Sequence, residues 1–144
     1  MIVIYVDDEK VLLENFVLTV KDVSRIDELH TFHKSADALS FVKNNPIDVA
    51  FLDIEMPEMN GLELAKALKQ VDENIRVVFV TAYENYALQA FGVDAIGYLL
   101  KPYCVTDIEK ALDKAFYIKK NRKKKSGFRR CRICKLPWME VLFS

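Results

Sequence analysis

The 144 residues are 51% hydrophobic and 29% charged, enough for one domain whose buried core needs no disulfide or metal staple. Twenty-one basic and 21 acidic side chains cancel, which excludes a strong overall pull toward polyanions or membranes. The balance hides a split: residues 1–118 hold 11 Lys and Arg against 20 Asp and Glu, a net −9, while residues 119–144 hold 10 against 1, a net +9.

Such a split predicts an acidic folded domain over 1–118 and a basic linker or tail over 119–144. The cysteines Cys104, Cys131 and Cys134 are odd in number and missing from the first hundred residues, so a disulfide framework is not expected. Met1 leads straight into a short apolar run with no basic segment ahead of it, and nowhere do the roughly 20 apolar residues of a membrane span occur. The expectation is a soluble, cytoplasmic protein.

In chain order, Ile2–Val6 is a β-branched apolar run that reads as a strand buried on both faces. Leu12, Phe16 and Val20 mark a first helix, a weaker strand lies over 26–32, and Ala38, Phe41 and Val42 mark a second helix. Strand 49–52 is followed by a helix with its apolar stripe at Leu64, Ala67, Leu68 and Val71. Strand 77–80 is followed by a stripe at Tyr83, Ala87, Ala90 and Phe91. Strand 96–100 is followed by one at Ile108, Ala111, Leu112, Ala115 and Phe116. All these stripes read as core packing. Asn60-Gly61 reads as the turn into the third helix, with Asn60 able to cap it.

Alternating strands and helices predict an α/β fold, because parallel neighbours need right-handed crossovers that cover both sheet faces. Five strands and five helices fit the doubly wound, flavodoxin-like order 2-1-3-4-5, whose ligand crevice lies beyond the carboxyl ends of the strands. The residues at those ends are Asp7 and Asp8 after the first strand, Asp53 after the third, Thr81 after the fourth and Lys101 after the fifth. A single charge after a strand means little, since chains leave strands into solvent. Three carboxylates, a hydroxyl and an ammonium converging in one crevice mean more. Clustered carboxylates repel and raise one another's pKa unless a cation joins them, and Mg²⁺ suits a site that offers few carboxylates and keeps water for exchange.

The segments Val6-Asp7-Asp8-Glu9, Leu52-Asp53-Ile54-Glu55-Met56-Pro57, Asn60-Gly61, Val80-Thr81-Ala82 and Lys101-Pro102 resemble, in order and spacing, the receiver domains of two-component response regulators, the CheY-like superfamily. The resemblance covers about residues 1–118. It implies that Asp53 accepts a phosphoryl group from a sensor histidine kinase, and that Asp7 or Asp8, with Asp53 and the Glu55 backbone carbonyl, holds Mg²⁺. It further implies that Lys101 pairs with the phosphoryl oxygens, Thr81 donates to one of them, and Tyr98 is the switch aromatic that fills the space Thr81 vacates. The surface of the fourth helix, fifth strand and fifth helix then rearranges, a face that also suits a receiver homodimer. The Lys101-Pro102 bond is usually cis in that family. Glu55 and Tyr83 occupy positions that in that family flank the attacking water, so the resemblance implies that they tune hydrolysis. No enzyme activity is implied beyond self-phosphorylation and autodephosphorylation.

Residues 82–91 also resemble receivers joined to LytTR-type or antibiotic-regulator-type DNA-binding domains, and the domain is similar to that of the stage 0 sporulation regulators. The leading reading is therefore a switch that controls transcription through an effector domain absent or truncated here. A stand-alone receiver working through protein contacts or phosphate shuttling is the alternative, and an Mg-dependent hydrolase using Asp53 is a third.

Two further motifs read blandly. His30 and His33 form H-x-x-H without other ligands near them, and Cys131-x-x-Cys134 lacks the second pair that zinc needs. From Lys119 the apolar periodicity stops, which reads as a solvated helix end and linker; the stretch 139–143 could begin an effector strand.

Overall fold

The computed structural model describes residues 1–82 and 95–127, the backbone alone over 118–127. The helix expected around Tyr83–Phe91, Cys131, Cys134 and the apolar stretch 139–143 lie outside the described residues.

Strands β1 (Ile2–Val6), β2 (Glu28–Phe32), β3 (Val49–Asp53), β4 (Arg76–Thr81) and β5 (Gly97–Leu100) alternate with helices α1 (Lys10–Val20), α2 (Ser35–Asn44), α3 (Gly61–Val71) and α4 (Val105–Gly127). Helix α4 is the fifth helix of the sequence reading. The strands form one parallel sheet in the order β2-β1-β3-β4-β5, as the sequence predicts.

Burial follows this order. Every residue of β3 and β4 is buried, whereas β2 and β5 at the edges are only partly covered. That is why the central strands read as unbroken apolar runs and β2 does not. On one face Ile4, Val6, Ala50, Leu52, Val77 and Phe79 pack with Ala38 and Val42 of α2 and with Leu64, Ala65 and Leu68 of α3. Alternation sends Val3, Tyr5 and Phe51 to the opposite face. There Phe16 of α1 stacks on Tyr5 with ring centroids 4.2 Å apart and meets Phe51 at 5.3 Å. Each such fully buried side chain contributes roughly 1.5–3 kcal/mol by leaving water.

Two helical stripes differ in detail from the sequence reading. On α1 the buried set is Leu13, Phe16 and Val20, so Leu13 takes the place assigned to Leu12. On α3 Ala65 is buried, while Val71 at the helix end is 40% exposed. The chain groups into Met1–Leu112 and a second unit from Asp113, through which α4 continues to Gly127. Among the described residues no helix is long and apolar enough to cross a membrane.

Helix α3 starts on a reciprocal cap. The Glu63 N–H donates to Asn60 Oδ1 at 2.9 Å, and the Asn60 N–H donates to Glu63 Oε1 at 3.0 Å. The two bonds satisfy donors that a helix start otherwise leaves unpaired. Asn60→Ala is expected to lower the unfolding free energy by about 1 kcal/mol, read by urea denaturation as a lower midpoint at unchanged slope.

Candidate functional site

Five chain segments end on the same side of the sheet. Asp53 and Thr81 are the last residues of β3 and β4, and Asp7 follows β1, tied to the end of β2 by its N–H donating to the Phe32 carbonyl at 3.0 Å. The Lys101 N–H donates to the Thr81 carbonyl at 2.8 Å, extending the β4–β5 pairing by one residue past the strand. Strand alternation then sorts the side chains. Asp7, Asp53 and Lys101 share one parity across the paired strands, and Thr81 shares the other with Phe79 and Tyr98.

The carboxylates meet as the sequence expects. One oxygen each of Asp7, Asp8 and Asp53 lie within 4.8 Å of one another; Asp7 and Asp53 are buried and Asp8 is exposed. Lys101 Nζ donates to Asp7 Oδ2 at 2.9 Å and lies 3.4 Å from Asp53 Oδ1. Burial, followed by the charge of Asp7, pushes the Asp53 carboxyl up to about 7, against the pull of Lys101. Burial works against the charged Lys101 ammonium, but its bond to Asp7 and the negative charges beside it raise its pKa above the usual lysine value. The site therefore retains a shortage of positive charge even with Lys101 in place. An all-oxygen, partly buried donor set with that shortage fits a hard divalent cation.

Two features of the site were not visible in the motifs. Gly61, read from sequence as turn chemistry, lies where a Cβ would come within 2.3 Å of the Asp53 carbonyl oxygen and 2.8 Å of the Ile54 Cα. Its N–H donates to the Ile54 carbonyl at 2.9 Å, and Glu58, at φ 66°, takes a left-handed conformation in the loop between. The start of α3 thus lies directly against the backbone that carries Asp53.

The second feature is Tyr5, indistinguishable in sequence from the apolar strand around it. Its hydroxyl donates to Asp7 Oδ2 at 2.9 Å, and the Tyr103 hydroxyl donates to that of Tyr5 at 3.5 Å. Burial and the charge of Asp7 push the Tyr5 phenol far above its usual range, so it remains a donor. The only signal was a hydroxyl on a residue two positions before Asp7, on the same strand face.

The expected cis bond at Lys101-Pro102 is present. His30 contacts Glu28 at 3.1 Å and lies over Phe41, and among the described residues no cluster of potential metal ligands includes it or His33. Tyr83 lies outside the described residues.

The family model described as the response regulator receiver domain matches residues 3–113, a span that contains every one of these site residues. The chain belongs to the response regulator receiver family. Among curated relatives this receiver is 35% identical to the transcriptional regulatory protein YpdB of Escherichia coli strain K12, over 79% of this chain and 47% of that protein. It is 37% identical to the sensory transduction protein LytT of Bacillus anthracis, over 78% of this chain and 46% of that protein. The receiver thus spans about half the length of the curated relatives it matches.

Among solved structures, the response regulatory domain of mrkE from Klebsiella pneumoniae superposes with a TM-score of 0.75 at 31% identity, covering 84% of this chain and 99% of that one. The response regulator TrrA from Thermotoga maritima, solved in complex with Mg(2+)-BeF, gives 0.70 at 25% identity, covering 80% of this chain and 99% of that one. Within the receiver Thr81 is buried, and half-buried Tyr98 packs against the core that Phe79 helps to build, in register with that residue. Thr81 and Tyr98 therefore stand on one sheet face.

Proposed function

We propose that this receiver takes a phosphoryl group onto Asp53 from the phosphohistidine of a sensor histidine kinase and passes the change through Thr81 and Tyr98 to an output. The observation that carries the reading is the placement of Lys101 Nζ between Asp7 and Asp53, at 2.9 and 3.4 Å, beside a third carboxylate. A carboxylate nucleophile, a mobile cation and a metal-binding acid pair are what phosphoryl transfer needs, since the reaction asks for positioning and charge neutralisation more than covalent help.

Asp7, Asp8, Asp53 and the Glu55 backbone carbonyl are assigned to Mg²⁺, which when bound supplies charge neutralisation between the carboxylates and the phosphoryl oxygens. Asp53 is positioned to attack phosphorus with one Oδ, forming an O–P bond as the P–N bond to the donor imidazole breaks. Lys101 moves to the phosphoryl oxygens, and the Thr81 hydroxyl donates to another of them. Thr81 withdraws toward Asp53, and the Tyr98 ring follows into the space it leaves. Their common sheet face supports this coupling. The result is a shift between two packings of the surface around β5 and the start of α4.

The output is assigned to transcription, through an effector of the LytTR type attached beyond the domain. Supporting it are the likeness to YpdB, a transcriptional regulatory protein, the likeness to the sensory transduction protein LytT and the half-length coverage of both. In this reading residues 1–118 are the receiver and 119–144 the basic linker, in a cytoplasmic protein. Exposed Leu100 and Val105, at 38% and 37%, favour a homodimer through the face to which β5 and α4 contribute.

Incubation with Mg²⁺ and acetyl phosphate tests the assignment by intact mass. A gain of one phosphate, absent in Asp53→Asn, is expected. An adduct that persists in that variant, or rapid donor turnover with no adduct, overturns it, the second outcome favouring a hydrolase.

A further inference from the structure

We infer that Tyr5 is a positioning residue for Asp7, its hydroxyl holding the carboxylate so that one open lone pair faces the cation. The inference rests on the reading of the acidic crevice proposed above.

A strand position buried against Phe16 has no packing need for a hydroxyl, and a buried phenol left unbonded there would be destabilising. The Tyr5 hydroxyl is bonded, and to a site residue. Among the described residues Asp7 makes three such contacts. Oδ2 accepts from Tyr5 at 2.9 Å and from Lys101 at 2.9 Å, and Oδ1 accepts from the Glu9 N–H at 3.0 Å. A carboxylate has about four lone-pair sites, so with respect to the described residues one remains open, on Oδ1.

The three donors differ in permanence. Lys101 divides its charge between Asp7 and Asp53 on a flexible stem, and in the proposed reaction it leaves for the phosphoryl oxygens. Tyr5 cannot follow, because its ring is stacked on Phe16 at an interplanar angle of 1° and is wholly buried. The Tyr103 hydroxyl donates to the Tyr5 oxygen, which leaves the single Tyr5 proton for Asp7. Once Lys101 has moved, the Glu9 N–H on one oxygen and Tyr5 on the other fix the carboxylate plane. With the backbone donor alone the plane can pivot.

Mn²⁺ titration of the full chain, with free ion followed by electron paramagnetic resonance, tests this. Tyr5→Phe keeps the ring and removes the hydroxyl; Val3→Ala, on the same strand face, loosens packing without touching Asp7. Tyr5→Phe is expected to weaken Mn²⁺ binding about tenfold, the size of effect usual for a group that orients a ligand. Val3→Ala is expected to leave affinity within about twofold, a change of under 0.5 kcal/mol. The Mg²⁺ concentration for half-maximal acetyl-phosphate labelling should rise by the same factor as in the titration, with the limiting rate retained. Unchanged affinity in Tyr5→Phe, or equal weakening in Val3→Ala, overturns the role of Tyr5 alone. Failure of the parent chain to bind Mn²⁺ overturns the cation site itself, and this role with it.

Discussion

Gly61→Ala is expected to cost about 3 kcal/mol of stability and to slow phosphorylation of Asp53 by about 10- to 100-fold. The added methyl would lie 2.3 Å from the Asp53 carbonyl oxygen and 2.8 Å from the Ile54 Cα. Both atoms belong to the backbone, so no rotamer change relieves the overlap. Either α3 retreats, exposing part of the face that buries Leu64, Ala65 and Leu68, or β3 yields at its last residue. Alanine does improve helix propensity over glycine by up to about 1 kcal/mol, but that gain is smaller than the overpacking penalty. Urea denaturation should show a lower midpoint, and the rate of the acetyl-phosphate mass shift should fall under conditions where the variant is fully folded. Parent-like stability together with parent-like labelling would refute the close approach of α3 to Asp53.

Asp53→Asn should be more stable than the parent at pH 8 while accepting no phosphate. The parent carboxyl moves from an ordinary 3.8 to about 7 on folding, chiefly through burial and then the charge of Asp7. Between those values the folded chain keeps a proton that the unfolded chain releases. Stability from this group is therefore fully present below pH 3.8, falls as pH rises, and is lost once the folded pKa is passed. The penalty at pH 8 is on the order of 4 kcal/mol, and asparagine, which cannot ionise, escapes it. Thermal melts in chelator-treated buffer should show the variant's advantage shrinking toward pH 4. Addition of Mg²⁺ should narrow the gap at pH 8 by stabilising the parent more than the variant, since the neutral amide is the poorer ligand. An advantage that does not change with pH would place the cost of Asp53 elsewhere than in its buried charge.

Both predictions bear on how Asp53 is held, and they separate what was readable in the chain from what was not. Asp7, Asp8, Asp53, Thr81 and Lys101 were legible because each follows or ends an apolar run, and parallel strands deliver such ends to one side. The sheet order was legible too, since strands buried on both faces read as unbroken hydrophobic stretches, whereas β2, half-covered at the edge, does not. Even the reciprocal cap at Asn60 was half visible, as a capping residue before an apolar stripe.

Gly61 and Tyr5 needed the tertiary structure. Nothing local distinguishes a glycine that closes a turn from one that lets a helix touch the neighbouring strand; the distinction lies in which backbone occupies the missing Cβ's place. Likewise Tyr5 sits in a run of core residues, and its chemistry arises because strand alternation turns its hydroxyl toward the carboxylate two residues on. The sequence by itself determined which groups gather at the strand ends, because that follows from hydrophobic pattern and chain direction. Only the tertiary structure decided how those groups are held, because orientation and close approach depend on neighbours distant in the chain, as Lys101 is from Asp7 and Tyr103 from Tyr5.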